Sequence, residues 1–300
     1  MTPDLRQFRY FVAVAEESSF TRAATRLMIA QQSLSQQITA LERNLGVKLF
    51  ERDSRGTRLT ETGTLFLPEA RAALARADEA VAVVQRARRG EVGELRLAFL
   101  ATTANHLLPP IVRAARSHLP EVSVLTTETT IGPLVDGMLD GSYDLAFTRP
   151  PQVPGLATHT IATEQVCAVL PAGHPLADRA SLALADLAGE RWVMTPRSSW
   201  EPWHRAFDES FRAAGFTPEV VARDASVQGL LGLVAAGVGV TRLGWSAHHL
   251  RRTGVVFVPL TGELMPTDMV WRPDNTAPAL RRLREVVTDL AASTDLTEAG

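Results

Sequence analysis

What the sequence lacks narrows it first. Cys167 is the only cysteine in 300 residues, so no disulfide forms within one chain and a cytoplasmic location is expected. It lies in apolar Val166-Cys167-Ala168-Val169, where a small buried hydrophobe is expected, not a redox sensor. No apolar run approaches the ~20 residues of a membrane helix, so no membrane partner is expected. The opening MTPDLRQFRYF has none of a secretory leader's charged start, apolar centre and cleavage site. The seven histidines show no zinc-like spacing, and adjacent His248 and His249 are expected on different faces at the surface. No phosphate loop, nucleotide fingerprint or nucleophile elbow is present. The expectation is therefore no cofactor, no metal and no catalytic residues.

What is there is ordinary globular composition, 45% hydrophobic and 21% charged, with an uneven charge distribution. Residues 1–90 carry fourteen basic and ten acidic side chains, +4 within a chain of −2, which leaves −6 for the rest. A basic head on an acidic body suits a polyanion partner at the head.

Residues 1–60 read as short helices followed by a hairpin. Leu5, Phe8, Phe11, Val12 and Ala15 make one apolar face, Ser18 and Ser19 interrupt it, and Thr21–Leu27 follows. A third helix spans about Gln31–Leu45, with Leu34, Ile38, Leu41 and Leu45 inward and Gly46 as its stop. Lys48–Arg52 and Arg58–Thr60 flank a turn with Asp53, Ser54 and Gly56, an arginine-bearing wing. From 61 to 90 a single helix carries Leu67, Ala70, Leu74, Ala77, Val81 and Val84 at a period of 3.5. That stripe is expected to pair two chains, the alternative being packing on its own domain. Arg88-Arg89-Gly90 and Gly93 read as a hinge.

Residues 91–300 alternate strands and helices, an α/β pattern with a largely parallel sheet and two lobes around a cleft. Lobe I is placed at about 91–162 and 268–300, lobe II at about 163–267.

The first 65 residues closely resemble the LysR-type DNA-binding domain. The match runs through Val12-Ala13-Val14-Ala15-Glu16, Ser18-Ser19-Phe20-Thr21-Arg22-Ala23-Ala24, Leu34-Ser35-Gln36-Gln37-Ile38, Leu49-Phe50-Glu51-Arg52 and Leu59-Thr60-Glu61-Thr62-Gly63. Looser motifs, Gly93–Leu97, Leu139–Ala146 and Leu233–Val240, resemble the family's effector domain, a relative of two-lobed periplasmic binding proteins. The resemblance implies a winged helix-turn-helix, a linker helix and an effector domain. It also implies operator DNA and a small effector as partners, a homodimer through the linker and a homotetramer, with RNA polymerase a further candidate partner.

Within that frame, Gln31, Gln32, Ser35 and Gln36 are the expected base-reading set, since glutamine can pair bidentately with adenine in the major groove. Thr21, Arg22, Arg52, Arg55 and Arg58 are the expected phosphate contacts. Three positions depart from the family pattern: Ala30 replaces a capping serine, Gln32 a common proline and Gln36 a frequent arginine. In the family the ligand lies between the lobes. Thr102, Thr103, Thr130, Arg149, Arg197, Ser226 and Val227 are the expected effector contacts, with Trp200 and Trp203 as apolar walls. Two arginines with hydroxyls and helix N-termini suit a small, anionic effector, a carboxylate with an aromatic or other compact body. Plain helix capping by Thr102 and Thr130 stays open, as does a structural ion pair for Arg149.

Two rival readings differ in class. A solute-binding protein needs neither the basic winged domain nor the 3.5-residue stripe, and an enzyme needs a catalytic constellation that the chain does not display.

Overall fold

A computed structural model describes residues 3–53, 56–149, 153–199 and 201–297. The chain divides into two compact units, Met1–Gln85 and Arg86–Gly300.

The first unit is built on capped helices. The Asp4 side chain and Gln7 form a reciprocal capping box that starts α1 (Leu5–Glu17). Ser18 ends it in the left-handed region, and the Ser19 hydroxyl caps α2 (Phe20–Leu27). α3 (Gln31–Leu45) starts at Ala30 without a side-chain cap and stops at Gly46, φ +73°. β1 (Phe50–Asp53) and β2 (Gly56–Leu59) form the antiparallel wing, with Glu51 opposite Arg58 and Arg52 opposite Thr57. The core contains Phe11, Val14, Ala23, Leu34, Ile38 and Leu49. α4 (Glu61–Arg88) closes it from one side: Phe66 packs on Phe8 and Phe11, and Ala70 is fully buried. Its apolar stripe thus serves two purposes. Leu67 and Ala70 pack within their own unit, whereas Val81 and Val84 stand 62% and 65% exposed.

The second unit begins with β3 (Val92–Leu100), α5 (Ala101–His118), β4 (Glu121–Thr129), α6 (Ile131–Asp140) and β5 (Leu145–Thr148). β6 (Ala157–Pro171), β7 (Arg191–Met194), α7 (Glu201–Ala213), β8 (Glu219–Arg223) and α8 (Val227–Ala235) follow. β9 (Thr241–Gly244), β10 (Val255–Trp271) and α9 (Pro278–Ser293) complete it. The main sheet runs β4-β3-β5-β10-β6-β9, with β7 and β8 paired separately. Among the described strands, β3–β4, β3–β5 and β7–β8 pair in parallel, whereas β10–β5, β10–β6 and β6–β9 are antiparallel. The largely parallel sheet expected from the sequence is therefore a mixed one. β6 and β10 pair with each other along most of their length; β10 continues the sheet to β5 and β6 to β9. One lobe's core stacks Phe99 on Phe147 at 4.7 Å between sheet and helices; the other's is built around Trp192 and Phe211.

The expected hinge differs as well. Gly90 is buried at φ +69°, and a Cβ there would collide with the Pro278 backbone. Close approach demands glycine at that point. The Glu91 N–H closes onto the Arg86 carbonyl, so this segment is a packed helix end inside the second unit.

Candidate functional site

Two sites emerge, one in each unit. In the first, α3 buries Leu34, Ile38 and Leu41 and presents Gln31, Gln32 and Gln36 to solvent, with Ser35 half-buried beside them. Thr21 and Arg22, in the first turn of α2, are exposed. Arg22 already bonds the Glu17 carbonyl and lies 3.6 Å from its carboxylate, so part of its charge is compensated. Arg52 and Arg58 are exposed on the wing strands, and Arg55 lies outside the described residues. Arg52 Nη2 donates to Ser35 Oγ at 3.1 Å, and its guanidinium sits 3.7 Å from the Phe20 ring centroid.

Glu42 is a residue that sequence reasoning missed. It is buried at the end of α3 and accepts from the Leu49 and Phe50 backbone N–H groups and from Lys48 Nζ at 2.7 Å. A buried carboxylate with three donors pins the wing root to α3. Its only sequence signal was an acid on an otherwise buried face.

In the second unit, the first turns of α5, α6 and α8 converge on a cavity of about 240 Å³. Of the residues expected at this cleft, Thr102, Thr130, Trp203, Ser226 and Val227 line it. Neither Leu100 nor Thr130, the N-cap residues of α5 and α6, supplies a side-chain cap. Ser226 does cap α8, its Oγ accepting from the Gly229 N–H at 2.9 Å. The lining also includes Glu128, Thr195 and Gln228, for which the sequence offered no motif. No arginine or lysine is among the lining residues.

Three expected contacts are corrected. Thr103 is fully buried, donating to the Leu100 and Phe147 carbonyls and accepting from the Leu100 N–H; it splices α5 onto the sheet. Arg197 lies outside this cavity and pairs with Asp208 and, at 3.8 Å, with Glu201. Arg149 is only 4% exposed and bonds Glu164 at 2.5 Å and Thr267 at 2.7 Å. It neutralises a buried carboxylate, which is the ion-pair alternative left open above. Trp200 lies outside the described residues.

Around that ion pair lies a polar interior. Burial by itself would raise the Glu164 carboxyl, but Arg149 and the Ser246 N–H and hydroxyl hold it below the usual range. His106 is buried nearby on α5 with neither ring nitrogen partnered among the described residues, and burial pushes its pKa down to about 4. The Cys167 thiol donates to the Leu243 carbonyl and is pushed up to about 12 by burial, as suits a small core residue. His248 and His249 are half-buried with ring centroids 3.8 Å apart, because they occupy the 3-10 turn Trp245–Leu250; the expected divergence does not occur. Among the described residues no group of three or more His, Cys, Asp or Glu is placed to hold a metal ion, and no helix is long and apolar enough to cross a membrane.

Known proteins share both units. Residues 5–64 match the model of the bacterial regulatory helix-turn-helix proteins of the lysR family, and residues 88–292 match the LysR substrate binding domain. The chain is 32% identical to the HTH-type transcriptional regulator AlsR of Bacillus subtilis, covering 99% of both chains. It is 35% identical to the HTH-type transcriptional regulator IlvR of Caulobacter vibrioides, covering 97% of this chain and 100% of the relative. Among solved structures, full-length CbnR in complex with its target DNA superimposes with a TM-score of 0.79 at 30% identity, covering 96% of this chain and 99% of that one. The chain belongs to the LysR family: it is a DNA-binding transcriptional regulator whose N-terminal helix-turn-helix unit is joined by a helix to a two-lobed α/β effector-binding domain.

Proposed function

We propose that the effector is a small anion, a carboxylate with a compact apolar or aromatic body, bound in the cavity where α5, α6 and α8 begin. One observation carries this: three helix N-termini meet at a cavity that no basic side chain lines. Each contributes unpaired N–H groups and about half a positive charge, enough to favour a carboxylate without a counter-ion. Thr102 and Thr130 add hydroxyls, and Trp203 and Val227 an apolar wall, while the Ser226 O–H is already given to Asp224. Glu128, the charged residue in the lining, is exposed, so water screens its repulsion.

The same proposal assigns sequence reading to Gln31, Gln32, Ser35 and Gln36 and phosphate contact to Thr21, Arg22, Arg52, Arg55 and Arg58. Residues 1–60 act as the DNA-binding domain, 61–90 as the dimerising linker and 91–300 as the effector domain. Two α4 helices pair through their exposed halves, and effector domains pair dimers into a tetramer that can meet RNA polymerase in the cytoplasm. Effector binding shifts the balance between lobe arrangements and acts as a regulatory signal, not as a step in catalysis.

A thermal-shift screen of small carboxylates against their uncharged amides, followed by calorimetry, tests the effector class. Carboxylates should bind and their amides should not, and Thr130→Val should weaken the carboxylate alone. Equal binding of acid and amide overturns the anionic assignment.

A further inference from the structure

We propose that Phe20 is a positioning residue for DNA recognition, holding Arg52 against Ser35 so that the two act as one preformed donor pair beside α3. The inference rests on the reading of α3 and the wing as the DNA face.

Phe20 is the first residue of α2, 6% exposed, and its ring packs edge-on against Phe50 at 5.7 Å, so the core fixes its orientation. The free face of that ring carries the Arg52 guanidinium at 3.7 Å. A guanidinium over an aromatic face is attracted by the ring quadrupole, and its planar fork keeps hydrogen-bonding edges available while stacked. One of those donors is already used on Ser35 Oγ at 3.1 Å. Three elements therefore converge at one exposed arginine: the start of α2, the wing strand β1 and the N-terminal half of α3. An arginine placed before DNA arrives loses less side-chain freedom on binding than a free one.

The pairing also sets what Ser35 can recognise. Its oxygen accepts from Arg52 through one of two lone pairs, which leaves the O–H and one lone pair free. With Arg52 supplying only donors, the pair is rich in donors and favours acceptors on DNA: a phosphate oxygen, guanine O6 or N7, or thymine O4. Neither residue type nor spacing in the sequence reports this, because the serine and the arginine are seventeen residues apart.

The test uses the full chain, a duplex recovered by selection from a random library, and a random duplex of equal length, with affinity measured across salt. Phe20→Leu keeps an apolar residue but removes the ring face; Ser35→Ala removes the acceptor at a half-buried site. Each should weaken binding about two- to five-fold, the scale of one exposed cation–π or neutral hydrogen-bond contact. The salt slope should remain unchanged for both, whereas Arg52→Ala should flatten it by about one. In the Arg52→Ala background, adding Phe20→Leu should cost nothing further, and adding Ser35→Ala should cost less than it does alone, because only the serine's own DNA contact is then left to lose. Loss on the random duplex as well as the selected one identifies a phosphate acceptor; loss on the selected duplex alone identifies a base edge. Additive losses, or wild-type affinity in both single variants, overturn the positioning role while leaving the DNA face intact. If Arg52→Ala itself binds both duplexes like wild type, the underlying assignment of the wing fails too. Should Phe20→Leu melt before binding can be measured, the Ser35→Ala cycle decides alone.

Discussion

Arg149→Ala should unfold the effector domain at lower temperature before it changes any ligand contact. Arg149 and Glu164 are both almost wholly inaccessible and bond at 2.5 Å. Removing the guanidinium leaves a carboxylate that keeps Ser246 as a donor but has lost its counter-charge. Breaking one side of a buried pair costs ~3–5 kcal/mol, whereas replacing both sides with compatible uncharged groups is often neutral. For a unit of about 215 residues, each kcal/mol moves the melting point by ~2–4 °C, so a loss of about 6–20 °C is expected. The reference is the double variant Arg149→Met with Glu164→Gln, which retains an acceptor for Ser246 and removes the orphan charge; it should recover most of that loss. Circular dichroism melts of the wild type, Arg149→Met, Glu164→Gln and the double variant close the cycle and measure the coupling directly, with Arg149→Ala run beside them. A drop below about 2 °C in Arg149→Ala, or additive single effects, would refute the account of Arg149 as a counter-ion and return it to the ligand-binding set.

Other changes test other parts of the chain. Ala30→Ser should supply the missing cap of α3 and stabilise the DNA-binding unit by ~1 kcal/mol in chemical denaturation; no gain would mean that the Ala30 backbone cannot present a hydroxyl to the first turn. Gln36→Ala should weaken binding to a selected duplex and spare a random one at matched salt, and equal losses on both would remove it from the base-reading set. Val81→Glu should yield monomers in sedimentation without lowering the melting point, since Val81 is solvent-exposed within one chain; an intact dimer would place the pairing elsewhere. His106, held at about 4 against ~6.5 when unfolded, keeps its full stabilising effect above pH ~6.5. That effect is lost as pH falls toward 4, and Glu164, also held low, extends the loss in the same direction. His106→Gln should flatten the melting-point decline between pH 6.5 and 4, and an unchanged slope would exclude His106 as its source.

Legibility in the sequence followed the kind of force involved. α3 was readable to its ends because an apolar stripe, polar flanks and Gly46 agree on one answer. The full lengths of β6 and β10 were not, because their crossing segments bury Glu164, Thr267 and Asp268, and Pro259, Gly262 and Pro266 interrupt β10. Buried polar residues mimic a loop pattern unless their partners are known, and those partners are distant in sequence. The same reason separates the candidate effector contacts. Thr102, Thr130 and Ser226 come together at one cavity, and each was legible as a helix-start residue, since a helix start is a local signal. Arg149 was misplaced because only its pairing with Glu164, on another strand, decides whether its charge faces inward or toward ligand.

The two sites imply different electrostatic strategies. The proposed DNA face presents Arg22, Arg52 and Arg58 at exposed positions, side-chain cations, Arg22 partly compensated by Glu17, whose binding to phosphate would release counter-ions and therefore weaken with salt. The cleft instead gathers helix ends, whose partial charges come from backbone N–H groups held rigid by the fold. Such dipoles are partial charges that hold no condensed counter-ions to release, and they need no side chain to be ordered when ligand arrives. The arginines that might have served there already have carboxylate partners, Arg149 on Glu164 and Arg197 on Asp208. Effector affinity should consequently vary little between 50 and 200 mM salt, where a protein making six to ten phosphate contacts loses ~10³–10⁵-fold in DNA affinity. Parallel calorimetric titrations with a carboxylate and with duplex DNA over that range separate the two modes. A steep salt dependence for the carboxylate would mean that a full positive charge enters the cleft after all, and it would refute recognition by helix termini.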